Sequence, residues 1–240
     1  MSKAIAINPF RFYYVDDMTS TTYTYTGWHE WVDDGNGNWR IKLKSSGVFV
    51  PLIDTVIDVF LVGGGAGGGQ GGATGGGGGY TQTVKTIELK AGQSYTIAVA
   101  GQSAQGGRYD VGGNSTTAFG VTVNGGVAGI YGGAGGSGGG KDWGAGGSDG
   151  SDGQNGGGSG QHSTTREFGE PGGTLYAGGG GGDGNASGGA GGGGHGSNGW
   201  NTYASWGENN TGGGGGCASA AGAYTSRGGS GIVVIRNSER

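Results

Sequence analysis

Apolar and polar positions alternate along this chain in short runs, and turn residues bound most of them. Residues 19–27 alternate threonine and tyrosine, which is strand chemistry. Residues 28–32 and 39–44 predict a hairpin about Asp33, Asp34, Gly35, Asn36, Gly37 and Asn38. Within it Ile41 and Leu43 alternate with Arg40, Lys42 and Lys44, giving one buried and one wet face. Val48, Phe49 and Val50 form a strand ended by Pro51, and residues 55–62 form the next. Residues 80–89 alternate around Val84, Ile87 and Leu89; residues 90–93 turn; residues 94–100 place Tyr95, Ile97 and Val99 on one face. Residues 116–123 read as one further strand, followed by the turn signal Asn124-Gly125. Residues 231–236 form the last strand, far from the others, and its simplest partners are the early strands. The predicted frame is an antiparallel β-sandwich, all-β, closed by the final strand. Ahead of it, residues 1–20 carry Ile5, Ile7, Phe10, Phe12, Tyr13, Tyr14 and Val15, with Pro9 against a helix. They predict an edge strand or an arm that docks on another subunit.

Glycine changes this picture. The chain holds 70 glycines in 240 residues, about four times the usual ~7%. Thirteen of the seventeen residues from 63 to 79 are glycine. Glycine loses more freedom on ordering than any other residue, so such a run needs a compensating interaction. The extended threefold helix supplies one: about 3 residues per turn and no internal hydrogen bonds leave every amide free to pair with a neighbour. The glycine runs therefore predict a bundle of polyglycine II helices inserted in the sandwich. Gly144, Gly147, Gly150, Gly153 and Gly156 recur every third residue, which suits an outer helix with two substituted faces. The bare runs 178–182 and 191–194 suit interior positions. The resulting division is an N-terminal β segment over 1–62, a glycine-rich body over 63–231 and a closing strand over 232–240.

Composition excludes several chemistries. Charged residues are 12% with a net charge of -4 and three prolines. Collagen is excluded by the low proline, and nucleic-acid binding by the lack of a basic cluster. No 18-residue apolar span predicts membrane insertion. Residues 1–6 lack the long apolar region of a secretory signal. Cys217 is the lone cysteine and reads as a small packed side chain. Gly63, Gly65 and Gly68 spell a dinucleotide fingerprint, but no helix can open over residues 69–79. Residues 135–141 approximate a phosphate loop, with Asp142 where Ser or Thr is needed. Asp34, Asn36 and Asn38 begin a calcium spacing that lacks its glycine and its terminal glutamate. His29, His162 and His195 form no ligand pair. The expectation is no cofactor, no metal and no catalysis.

The aromatic loops carry the functional signal. Trp143, Phe168, Tyr176, Trp200, Tyr203 and Trp206 stand in a body expected to be too glycine-rich to bury them well. Beside Asn, Ser, Thr and Glu they read as rigid anchors with adaptable polar contacts. Capping of the bundle ends is the alternative reading of the same residues. Residues 200–210 are the leading contact segment.

The strand DVFLVGGG, then GGGGGYTQTV, LKAGQSYTIAVAG and the closing GGSGIVVIR resemble the glycine-rich domain of bacteriophage tail-fibre tip adhesins. The resemblance covers roughly residues 55–236. It implies a non-enzymatic receptor-binding protein of the virion tail, freed outside the cell on lysis. By position it implies recognition loops at 108–111, 141–143, 161–168 and 200–210. The expected contact residues are Trp143, Arg166, Phe168, Trp200, Asn201, Tyr203, Trp206, Glu208 and Asn209. The partners implied are a bacterial surface receptor, glycan or outer protein, and a tail-fibre or baseplate protein, with a homotrimer among the assemblies left open. The strand–polyglycine–strand order also resembles the extracellular glycine-rich domain of two lymphoma receptor kinases. A structural or ice-interacting protein and a glycan depolymerase using Asp142, Glu167 and Glu208 are the readings from other classes.

Overall fold

The computed structural model describes residues 22–71, 73–104, 111–198, 203–219 and 226–238. Among them the strands are β1 (Tyr23–Tyr25), β2 (His29–Gly35), β3 (Asn38–Leu43), β4 (Gly47–Pro51), β5 (Thr55–Val62), β6 (Thr81–Leu89), β7 (Tyr95–Ile97), β8 (Thr116–Ala118), β9 (Val121–Val123) and β10 (Ile232–Asn237). They make a five-stranded sheet in the order β2-β3-β10-β5-β6, a three-stranded sheet β1-β4-β7 and the hairpin β8-β9. A bridge between Ala98 and Thr117 ties that hairpin to the end of the smaller sheet. The fold is all-β and sandwich-like. The final strand does close it, and from the inside: Ile235 lies opposite Ile41 of β3 and Val59 of β5, both pairings antiparallel.

Alternation explains the core. Ile41, Leu43, Ile57, Val59, Leu61, Val233 and Ile235 point from the large sheet onto Tyr23, Phe49, Ile97 and Val123. Burial of each large apolar side chain contributes about 1.5–3 kcal/mol. The β2–β3 hairpin turns on Asn36 and Gly37, with φ of 55° and 81°, the pair of left-handed residues a two-residue hairpin turn requires. Its strands run further into the expected loop than the pattern predicts. The stretch 94–100 shortens to β7. Residues 116–123 are two strands rather than one. The chain reverses at Phe119 and Gly120, with φ of 50° and 80°. Phe119 holds its unusual turn position because its ring packs on Phe49 and Tyr95. The arm expected over residues 1–20 lies outside the described residues. Among the described residues no helix is long and apolar enough to cross a membrane.

The glycine body is knitted by main-chain amides in a threefold pattern. Gly64 and Gly67 donate to Asn114 and Val111; Gly65 donates to Gly229, and Gly68 to the Ser226 hydroxyl; Ala66 and Gly69 donate to Gly77 and Thr74. Every third amide thus meets the same neighbour, as three residues per turn demands. Partner numbers fall as donor numbers rise, so these neighbours are antiparallel. The next segment repeats the pattern: Gly75 and Gly78 donate to Gly140 and Ser137, Gly76 and Gly79 to Gly215 and Gly212, Gly77 and Tyr80 to Val127 and Asn124. Some neighbours are parallel, as where Gly178 and Gly181 donate to Gly191 and Gly194. A Cβ added at any of Gly75 to Gly79 would fall 2.0–2.3 Å from a backbone carbonyl oxygen. These glycines are required by close approach of backbones.

Two expectations for this body are corrected. Residues 144–156 are not one outer helix. They are short segments reversed at Asp149-Gly150 (φ 53° and 84°) and Asn155-Gly156 (φ 57° and 72°). Asp-Gly and Asn-Gly are turn signals that the threefold count concealed. The run 178–182 is buried as expected, but 191–194 opens with a turn at Gly191 and Gly192, φ 96° and 93°, and is only partly covered.

The body has two ends. Val62 runs into Gly63, Tyr80 returns to β6, and Gly231 donates to Ala100, so these mark the sandwich end. Thr74 bridges Lys141, Gly182 donates to Gly144, and Ser197 donates to Cys217 at the far end.

Candidate functional site

Trp143 is the most exposed large apolar side chain described, at 76%. It sits in a far-end turn closed by Gly144 donating to Lys141, with Asp142 at φ 48°. Its ring lies on Gly184. A Cβ there would fall 1.8 Å from the indole, and Gly184 holds φ 66° in its own turn. The indole is therefore seated on a bare backbone patch with its other face open. Beside it one Asp183 carboxylate oxygen is buried and has no hydrogen-bond partner among the described residues. Burial, then the charge of Asp142, raises its pKa. Tyr203 is 71% exposed and Trp206 half exposed, with the Arg227 guanidinium 5.1 Å from the Trp206 ring centre. Trp200 and Asn201 lie outside the described residues.

The remaining expected contact residues lie elsewhere. Residues 203–209 are no single loop. Ser205 pairs with His195 and Gly216 toward the far end, whereas Glu208 donates to Gly192 and Ser230 donates to the Asn209 side chain next to Gly231. Glu208 and Asn209 are exposed, but at the sandwich end. Arg166 and Phe168 belong to a segment, 161–176, that crosses the outer face of the five-stranded sheet. There the expectation of poorly buried aromatics fails. Phe168 and Tyr176 are 6% and 4% exposed and pack on Phe60, with Val62, Ile232 and Val234. The signal for this was present in the runs Val59-Phe60-Leu61-Val62 and Ile232-Val233-Val234-Ile235. Unbroken apolar runs mean a strand covered on both faces, so part of the glycine body had to supply the cover.

Arg166 is an anchor for that cover. Its Nε donates to Asp149 at 3.0 Å, and Asp149 also accepts from the Thr164 hydroxyl at 2.5 Å and the Thr165 amide at 3.1 Å. Burial pushes the Asp149 carboxyl up, but these donors outweigh it and hold the pKa below its ordinary value.

Sequence reasoning missed an ionic cluster between this cover and the sheet. Glu167 is 2% exposed. It accepts from Arg40 Nη1 at 2.7 Å and from the Tyr176 hydroxyl at 3.0 Å. Arg40 also grips Asp34 through Nε at 2.7 Å and Nη2 at 2.6 Å. Arg236 donates to Glu170 at 2.5 Å and to Asp58 at 3.4 Å, and its guanidinium lies 4.1 Å from the Phe168 ring centre. Burial, then the Glu167 charge, pushes the Tyr176 hydroxyl pKa up. A cavity of about 390 Å3 opens beside the cluster. Among the described residues no three His, Cys, Asp or Glu side chains could share a metal ion.

A β-sandwich whose strands are interrupted by threefold glycine segments defines a glycine-rich scaffold. A family model described as a glycine-rich domain matches residues 44–238, and the chain belongs to that family. The match leaves β1 and β2 outside it, together with β3, the sheet neighbour of β10. No curated protein matches the chain.

Proposed function

We propose that this chain is a non-enzymatic bacteriophage tail adhesin, carried in the virion on a tail-fibre or baseplate protein, that binds a bacterial surface receptor at the far end of its glycine bundle. The observation that carries the reading is Trp143, an open indole seated on Gly184 and held at the end of a backbone-bonded body. Tyr203 and Trp206 extend the same apolar chemistry. Aromatic side chains held this way lose little entropy on binding, which is the character of hot-spot contacts. The bundle supplies the stiffness, since its amides are tied to fixed neighbours. In this reading Arg166 and Phe168 serve to hold the covering segment on the sheet, and Glu208 and Asn209 stand away from the far-end surface.

The test is binding of the labelled full chain to whole cells of a strain panel. Capture by some strains and not others is expected, with Trp143→Ala and Tyr203→Ala each lowering capture at least tenfold. Equal capture by the parent chain and both variants, with folding intact, would remove the far end as the contact surface.

A further inference from the structure

The cavity beside the ionic cluster lies at the sandwich end and has no part in the far-end contact. Its walls come from three places in the chain: Asp34, Asn38 and Arg40 from the β2–β3 hairpin, Glu170 and Thr174 from the covering segment, and Arg236 from β10. Its volume, about 390 Å3, falls within the ~300–1,000 Å3 usual for small-ligand sites.

The walls are held in place before any ligand arrives. Arg40 is fixed by two carboxylates and Arg236 by two others, and Asn237 donates to Asn38 at 3.2 Å and accepts from the Trp39 amide at 3.1 Å. Ionic networks of this kind are weak sources of stability, because desolvation offsets much of their attraction. Rigid polar walls around a cavity are what a binding site needs.

The chemistry of the walls selects the ligand. Three carboxylates on the walls (Asp34, Glu167 and Glu170) outnumber the two guanidinium groups, and Asp58, outside the lining, also pairs with Arg236, so an anion such as phosphate meets an excess of negative charge. Each guanidinium is already neutralised by its carboxylates, and the amides of Asn38 and Asn237 add both donors and acceptors. Donors and acceptors are interleaved rather than segregated. A hydroxyl is both at once, with one donor and two acceptor positions, so a ligand made of adjacent hydroxyls fits where a purely cationic one would face the arginines. The geometry points to a neutral saccharide unit, one or two rings, bound between the β2–β3 hairpin and the covering segment. Glu170, with its side chain 48% exposed and one oxygen given to Arg236, offers its second oxygen to a hydroxyl. Asn38 supplies the opposite wall from the hairpin, and Thr174 adds a hydroxyl on the same segment as Glu170; both are exposed.

The test is saturation-transfer NMR on the full chain with glucose, galactose, N-acetylglucosamine and their common disaccharides, with inorganic phosphate and free arginine as the anionic and cationic arms. Transfer to at least one neutral sugar is expected, with a Kd of about 1 mM. Glu170→Gln and Asn38→Ala should each weaken that sugar at least fivefold, while Trp143→Ala changes it less than twofold. Both pocket side chains are exposed, and unchanged circular dichroism checks that the variants fold. The proposal is overturned if no sugar shows transfer, if phosphate or arginine alone binds, or if sugar binding survives both pocket variants. Loss of sugar binding with Trp143→Ala would place the sugar at the far end and overturn it equally. Cell capture through Trp143 stands or falls separately.

Discussion

In the sandwich, Ile235 is buried between Ile41 and Val59, and its contribution comes from side-chain surface removed from water. In the bundle, Gly77 donates to Val127, accepts from Ala66 and lies against the Ala134 carbonyl without any side chain. The first region is ordered by apolar burial. The second is ordered by amide pairing, each bond worth about 0.5–1.5 kcal/mol net, in compensation for glycine's large ordering cost. The regions should therefore fail in different ways. A packed apolar core can redistribute volume among rotamers. A backbone oxygen 2.0 Å from a new methyl group has nowhere to go.

The sharpest way to break this contrast is one methyl group in the bundle. A Cβ on Gly77 would sit 2.0 Å from the Ala134 oxygen, so Gly77→Ala should cost more than about 4 kcal/mol or abolish folding, the scale reserved for severe steric mechanisms. Gly172→Ala, with nothing within 4 Å of its Cβ, should stay within about 0.5 kcal/mol. Urea unfolding of both decides it: a Gly77→Ala protein as stable as the parent would mean the bundle is not close-packed. In the sandwich, Leu61→Ala should cost about 2–5 kcal/mol, but Leu61→Met less than about 1.5 kcal/mol, because an apolar core accepts a swap of similar volume. No comparable conservative exchange exists at Gly77.

The same contrast explains how much the sequence disclosed. Strands were legible because alternation is a local signal: β5 matches the pattern of residues 55–62, and β10 was placed beside early strands from its apolar run alone. The threefold bundle was legible because polyglycine between strands has few other ways to satisfy its amides. The turns inside the body were not, since Asp149-Gly150 and Asn155-Gly156 hide in a composition where glycine follows almost everything. Burial was misread for Phe168 and Tyr176 for a related reason. A glycine-rich body has little apolar surface of its own, and the surface that receives them belongs to β5 and β10. The partners of Arg40 and Arg236 sit 127 and 66 residues away at Glu167 and Glu170. No local pattern carries separations of that kind, and the cavity between them was invisible.

Glu167 tests the seam between the two regions. Glu167→Gln removes the charge that Arg40 and Tyr176 address, while Arg40 keeps Asp34. The expected loss is about 2 kcal/mol by urea unfolding, below the ~3–5 kcal/mol of a fully orphaned buried charge. No loss would mean that the covering segment is held by Phe168 and Tyr176 packing alone.

Alkali probes the same seam without mutation. Burial first, and Glu167 second, raise the Tyr176 hydroxyl above its ordinary value of 10.0, and burial raises Tyr25 to about 12. The folded chain keeps both protonated where the unfolded chain ionises. Their stabilising contribution is thus complete below pH 10 and is lost as pH rises through the folded values. Between pH 10 and 11 the decline should approach about 1.4 kcal/mol per pH unit for the more buried Tyr176. Tyr176→Phe should flatten the slope of unfolding free energy against pH. An unchanged slope would assign the alkaline loss to other groups.

The smallest expected effect on stability is at the far end, and it is the one that bears on function. Trp143 is 76% exposed and rests on Gly184 rather than in a core. Trp143→Ala should shift the unfolding free energy by less than about 0.5 kcal/mol, as surface substitutions do. Gly184→Ala is its partner experiment. The new Cβ would collide with the indole, at a position already in left-handed φ, so the ring must leave its seat. Under the adhesin proposal the two variants should lose cell capture together, since both remove the indole from its fixed place. If Gly184→Ala captures cells normally while Trp143→Ala does not, the indole matters but its preorganisation does not. The stiffness of the bundle would then be unrelated to binding. If neither variant changes capture, the far end is merely where the glycine segments turn, and the functional surface of the molecule is at the sandwich.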